Sequence, residues 1–340
     1  MDDYQTTSQK QYELTDIGDV HHILGMRVTR QNINNDSNNN NNINYNVTFI
    51  DQQTYINSKL SQFNMGESKE TSTPGDVNVL LNDSSEKADA NLYRSIVGSL
   101  IYASTSTRPD ITHAVNIASR VMHAPTQTHM RAAKKVLRYL AGCDSYALKY
   151  TNNNNNNNQH NNSSNDRDNN INNNGIELVA YCDADWGGDK ADRKSTTGYC
   201  VYMNDNLISW NTKKQVTVAL STAEAELMAI VEAVKEVKWM SQLLTEMNVN
   251  VKMPISIYTD NQAAIKIAQH DIEHDRTKHI DIKYHFIRDE INNKQVAINW
   301  IRTERQVADV FTKTLSSPSF INHRNRLVHE RTVTTDSNGN

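Results

Sequence analysis

Cysteine is scarce in this chain of 340 residues: Cys143, Cys182 and Cys200 are odd in number, far apart and form no Cys-x-x-Cys pair. That argues against a disulfide framework and a zinc ribbon, and it fits a reducing compartment. No apolar run approaches the length of a bilayer span, and Met1-Asp2-Asp3-Tyr4 has neither the basic nor the apolar part of a signal region. A soluble, intracellular protein away from membranes is therefore expected. Hydrophobic residues are few as well, at 37%, with a mean hydropathy of -0.70. Two asparagine tracts, 32–46 and 152–174, account for much of that deficit. Positive charge is not in excess either, since the net charge is -4. Over the whole chain this speaks against a nucleic-acid binder, but charge is local. Residues 91–150 carry eight Lys/Arg against two Asp, with Arg131, Lys134, Lys135 and Arg138 on one expected helix. Such a flank suits a polyanion; a solvated helix face is the plainer alternative.

What is present falls into two parts. Residues 23–28 and 47–50 read as a β-hairpin whose tip is the asparagine loop 32–46. After it the N-terminal part reads as mostly helical. Tyr55, Ile56, Leu60 and Phe63 have helical spacing, and helices are expected over 93–103, 111–122 and 129–140, the first two separated at Arg108-Pro109-Asp110. The tract 152–174 reads as a linker. Beyond it strands are expected over 177–182, 198–202 and 207–210, then a long helix opened by a capping box at Ser221 and Glu224. A strand over 255–259, helices from Asn261 and over 280–291, a strand over 296–301 and a helix over 306–315 complete the series. The order describes an α/β unit, a mixed sheet with helices on both faces, and 175–315 is expected to fold on its own.

Four acids stand out on these elements: Asp183 and Asp260 closing strands, Glu226 early in the long helix, and Asp309 near the end. Glu224 has a structural role in the cap, whereas Glu226 has none. Paired divalent ions clamping a phosphodiester need hard oxygen ligands from several elements at once, which this set could supply. Asp185 shares strand parity with Asp183 and is its rival.

The local sequence is more specific. The segments Tyr181-Cys182-Asp183-Ala184-Asp185-Trp186, Ser195-Thr196-Thr197-Gly198-Tyr199, Ile208-Ser209-Trp210, Leu220-Ser221-Thr222-Ala223-Glu224-Ala225-Glu226, Tyr258-Thr259-Asp260-Asn261-Gln262 and Arg276-Thr277-Lys278-His279-Ile280-Asp281 occur in order. Together they resemble the ribonuclease H (RNase H) domain of copia-type LTR retrotransposons over its whole length. Upstream, His22-Ile23-Leu24-Gly25-Met26 looks like the primer-grip segment of such reverse transcriptases. Tyr93-Arg94-Ser95-Ile96-Val97-Gly98 and Thr107-Arg108-Pro109-Asp110 look like their thumb and connection helices.

The resemblance implies a C-terminal fragment of a Pol polyprotein. It implies a reverse-transcriptase end with a β-hairpin over 1–150, a linker over 151–175, an RNase H-like domain with a mixed five-stranded sheet over 176–320, and a polar tail over 321–340. It implies Asp183, Glu226, Asp260 and Asp309 as ligands of two Mg²⁺ ions, with Mn²⁺ as a substitute, and hydrolysis of the RNA strand of RNA·DNA hybrids. Expected nucleic-acid contacts are Arg131, Lys134, Lys135, Arg138, Lys213, Lys214, Arg276, Lys278 and Lys283. Polymerase chemistry is not expected from these residues, though the polymerase part of a Pol chain is an expected partner. A cytoplasmic place is implied, with virus-like particles and the nucleus as further settings. A decayed transposon product that only binds nucleic acid is the alternative.

Overall fold

The computed structural model describes residues 18–34, 44–76, 83–151, 175–269 and 278–331, the side chains at 32–34, 44–45 and 278–281 excepted. The hairpin expected at the start is present. Strand β1 (His22–Ile23) leads into β2 (Met26–Asn34), which pairs antiparallel with β3 (Asn44–Asp51). Its register runs on through Asn32↔Asn46 to Asn34↔Asn44. The ends of the tract expected as a loop over 32–46 are therefore strand, because a ladder satisfies backbone groups whatever the side chains are; 35–43 lie outside the described residues. The mostly helical continuation expected there does not include β4 (Tyr146–Thr151), which extends the sheet beyond β3. The last strand, β10 (His329–Glu330), returns to pair with β4 and completes the order β1-β2-β3-β4-β10.

Helices α1 (Gln53–Gln62), α2 (Ala90–Ser106), α3 (Thr112–Ser119) and α4 (Gln127–Ala141) pack together beside this sheet. Asp89 starts α2 by accepting from the Asn91 and Leu92 amides, and Thr126 with His129 caps α4. At the break between α2 and α3 the Arg108 side chain is fully buried. Its guanidinium forks onto Asp110 at 3.0 and 2.7 Å and donates to the Cys143 carbonyl at 2.9 Å. The Tyr139 hydroxyl donates to the same Asp110 carboxylate at 2.6 Å.

The second sheet contains β5 (Leu178–Asp185), β6 (Thr196–Met203), β7 (Asn206–Lys214), β8 (Ile255–Thr259) and β9 (Val296–Trp300) in the order β7-β6-β5-β8-β9. The first three are antiparallel, while β8 runs parallel to β5 and to β9. Helices α5 (Thr222–Glu246), α6 (Gln262–Gln269) and α7 (Lys278–Asn292) belong to one face. There Ala229, Ile230, Ala233 and Val237 of α5 share a core with Leu178, Ala180 and Cys182 of β5. This is the expected mixed five-stranded RNase H-like sheet, given by its strand order together with its three antiparallel and two parallel strands.

The opposite face departs from expectation. Tyr181, Cys200, Tyr202, Leu207 and Trp210 join the same core as Ile96, Leu100, Val115 and Leu137 of the N-terminal helices. The Trp210 indole N–H donates to the Ser104 carbonyl at 2.8 Å, and the Asn116 amide donates to the Thr212 carbonyl at 3.0 Å. Residues 175–315 thus do not close their own core. Nor is the described part of 321–340 a polar tail. Helix α8 (Ser317–Arg324) seats Phe320, and Leu327 and Val328 beyond it are buried, because the hydrophobic pair has a core to enter. The helix expected over 306–315 is a single 3-10 turn, Val307–Phe311.

Candidate active site

Alternation along β5 decides which residues can meet. The even positions Leu178, Ala180, Cys182 and Ala184 face α5, whereas Tyr181 faces the other core and Asp183 follows it on that side. Asp183 lies opposite Gly198 of β6. A Cβ on Gly198 would sit 2.6 Å from the Phe311 Cβ and 2.7 Å from the Thr312 Cγ2. Only a glycine there lets the 307–312 segment lie against the sheet beside Asp183. Gln306, itself fully buried, ties that segment down by donating to the Cys182 carbonyl at 3.0 Å. The Thr212 hydroxyl donates to the Phe311 carbonyl at 2.8 Å.

Chain direction brings in the other acids. The strand order reverses its sense of progress between β5 and β8, and at such a switch the loops beyond parallel strands diverge and leave an opening. Asp260 follows the end of β8 at that opening. Its carboxylate accepts from the Thr303 hydroxyl at 2.7 Å. Glu226, one turn into α5, accepts from the Thr259 hydroxyl at 3.4 Å. Ser221 caps that helix by accepting from the Glu224 amide, while the Glu224 carboxylate accepts from the Leu220 amide, so Glu224 is committed to the helix start.

Asp183, Glu226 and Asp260 each present a carboxylate oxygen, all within 4.8 Å of one another. Asp183 is fully buried and Glu226 nearly so. Burial, then the charges of Asp183 and Asp260, push the Glu226 carboxyl up to about 10. Asp309 joins through a bridge: the Lys313 ammonium donates to Asp183 Oδ1 at 3.2 Å and to Asp309 Oδ1 at 3.1 Å. Burial and then Asp183 push the Asp309 carboxyl up to about 7 against the pull of Lys313. Lys313 itself is held above its ordinary value, burial opposing and the two carboxylates prevailing. The Thr312 hydroxyl donates to the second oxygen of Asp183. Hard oxygen donors from several elements, with each carboxylate disfavouring its neighbours' charge, are a donor set suited to divalent cations.

The rival Asp185 stands apart from that trio, and its carboxyl is raised chiefly by burial. Lys313, Thr312, Gly198 and Gln306 escaped the sequence reading. The spacing Asp309, Thr312, Lys313 is a one-turn return, and this was the available signal.

The expected basic contacts are dispersed. Arg131, Lys134, Lys135 and Arg138 lie on α4, which packs against α1, α2 and α3 rather than beside the acids. Lys213 pairs with Glu232 at 3.7 Å, and Lys214 pairs with Asp189 and with Asp192. Lys283 is half-buried on α7; Arg276 and the Lys278 side chain lie outside the described residues. A cavity of about 600 Å³ between α5, α7 and the starts of β8 and β9 is lined by Trp239, Met253 and Phe286. It lies at the end of the strands opposite the acids. Among the described residues no helix is long and apolar enough to cross a membrane.

No protein-family model matches the chain. It is 37% identical over 280 residues to the retrovirus-related Pol polyprotein from transposon RE1 of Arabidopsis thaliana, covering 82% of this chain and 18% of that protein. It is 33% identical over 319 residues to the Pol polyprotein from transposon TNT 1-94 of Nicotiana tabacum, covering 92% of this chain and 22% of the relative. The chain thus spans about a fifth of the length of these relatives. Among solved structures, LC11-RNase H1 in complex with an RNA/DNA hybrid aligns with 40% of this chain and 94% of its own. The identity is 12% and the TM-score 0.32, too low to add to the strand order as a warrant for the fold.

Proposed function

This chain belongs to the retrovirus-related Pol polyproteins of copia-type transposons, and from that premise we propose that its RNase H-like domain hydrolyses the RNA strand of RNA·DNA hybrids. The observation that carries the reading is the convergence of Asp183, Glu226 and Asp260 on one point, with Asp309 joined to Asp183 through Lys313. Two Mg²⁺ ions, when bound, would lower the pKa of an attacking water and stabilise the leaving 3′ oxygen, and Mn²⁺ would serve in their place. Asp183, Glu226 and Asp260 would hold one, Asp183 and Asp309 the other.

The remaining chemistry belongs to the chain. Gln306 and Gly198 fix the distance between Asp309 and β5. Thr303 orients the Asp260 carboxylate at the strand end by donating to it. Arg131, Lys134, Lys135 and Arg138 on α4 offer a basic surface on which a long duplex would rest, by phosphate contacts that carry no sequence information. In a longer Pol chain the polymerase part would deliver the hybrid.

The test is an end-labelled RNA·DNA hybrid mixed with the purified chain and Mg²⁺, beside RNA·RNA and DNA·DNA duplexes of the same sequence. Cleavage of the RNA strand of the hybrid alone, abolished by EDTA, is the expected result. Equal cutting of all three duplexes, or binding without cutting at any Mg²⁺ or Mn²⁺ concentration, would overturn it.

A further inference from the structure

Asp183 and Asp309 already have a cation. The Lys313 ammonium lies 3.2 Å from one carboxylate and 3.1 Å from the other, reaching Asp183 from a position four residues after Asp309. Its backbone amide also bonds the Asp309 carbonyl at 3.0 Å, so the turn itself aims the side chain. The trio of oxygens from Asp183, Glu226 and Asp260 shares Asp183 with this bridge and adds two carboxylates with which the ammonium makes no salt bridge. The cluster therefore contains two unlike places for positive charge. One is lined by three carboxylates, and the other lies between two carboxylates with an ammonium of this chain in it.

We propose that Lys313 is the built-in counter-cation of the second place and competes with the ion that bridges Asp183 and Asp309, so that the two ions bind unequally and in order. The proposal deepens the metal-nuclease reading and rests on it. The Lys313 side chain is 35% exposed, which leaves it a path outward. Lysine carries a compact, strongly hydrated charge on a flexible stem, and an ammonium that swings into water recovers its hydration. A divalent ion entering the second place must displace that ammonium; one entering the first need not. Once displaced, Lys313 stands free beside the acids, where a substrate phosphate would hold it away. Loading of the second ion and docking of the polyanion then favour one another.

The test counts ions on the full chain without nucleic acid. Mn²⁺ titration, followed by the electron paramagnetic resonance of free Mn²⁺, should show one strong and one weak ion on the wild type. Lys313→Met keeps the length and removes the charge. It should strengthen the weak ion by on the order of tenfold or more while leaving the strong one nearly unchanged. Lys313→Arg should behave as the wild type. Should Lys313→Met fold poorly, the wild type alone still decides. The Lys313 Nζ ammonium resonance, assigned by its loss in Lys313→Arg, should persist through the first equivalent of Mg²⁺ and be lost with the second. Unchanged binding in Lys313→Met, or an ammonium signal that disappears with the first equivalent, overturns the competition. A wild type that binds no ion, with Asp260→Asn behaving identically, overturns the metal reading underneath it.

Discussion

At the scale of single residues the acids divide by what their substitution removes. Asp260→Asn keeps the shape and deletes a negative ligand. Hybrid cleavage should stop while hybrid binding, which Arg and Lys elsewhere are expected to carry, should persist in a gel-shift assay. Asp183→Asn should be far more damaging than Asp185→Asn, since only Asp183 lies in the trio. If Asp185→Asn were the less active of the two, the assignment along β5 would be wrong. Glu226 also makes a stability claim. Its folded carboxyl, near 10, lies above the unfolded value of 4.5, so between those values the folded state binds more protons. Its contribution is intact below about pH 4.5 and is lost as pH rises towards the folded value. In EDTA at about pH 8, Glu226→Gln should therefore be more stable than the wild type, by on the order of a few kcal/mol. The advantage should vanish near pH 4.5. A thermal melt at the two pH values decides, and a variant less stable at both would refute the sign.

At the scale of elements, the Val307–Phe311 turn depends on its neighbour strand more than on itself. It is five residues of 3-10 helix, too short to hold its own geometry, and it is held by Gln306, by Thr212 and by the absence of a side chain at Gly198. Gly198→Ala should push Asp309 away from Asp183, costing about 1–3 kcal/mol through overpacking. Activity should fall by more than that stability loss alone explains, which activity assays well below the melting temperature would reveal. The α2–α3 break makes a second case. Arg108→Met would leave Asp110 buried with the Tyr139 hydroxyl and without its cation. A loss of about 3–5 kcal/mol is expected from denaturant titration, because a buried carboxylate stripped of its partner is strongly destabilising.

At the scale of the whole molecule the two parts are fastened to one another. Trp210, Tyr202 and Phe311 are covered by the N-terminal helices and α8, and each would gain exposure if 175–315 were cut out. Large apolar side chains contribute roughly 1.5–3 kcal/mol apiece when fully buried. The fragment should be aggregation-prone or molten, with weak near-ultraviolet dichroism, whereas a chain ending beyond Val328 and including the N-terminal helices should unfold cooperatively. A sharp, reversible melt of 175–315 alone would refute this.

The strands of the second sheet were legible because each is a short apolar run ended by a polar turn, and α5 because its apolar residues recur at helical spacing behind a Ser221 cap. Local pattern made Asp183, Glu226 and Asp260 candidates but left Asp185 as a rival to Asp183. Asp183 lies inside β5 rather than at its end, and the preference for it came from the family resemblance. Local pattern could not show that Asp309 would meet them from a 3-10 turn rather than a helix, since that turn is set by Gln306 and Gly198 from other segments. Nor could it show that Lys313 would place its ammonium between two carboxylates. Chain-local energetics determined most of the elements and narrowed the candidate acids. Which side of the sheet the N-terminal helices cover, whether β4 and β10 pair, and where the cation of the site resides were decided by contacts between residues distant in sequence, and only the tertiary structure contains those.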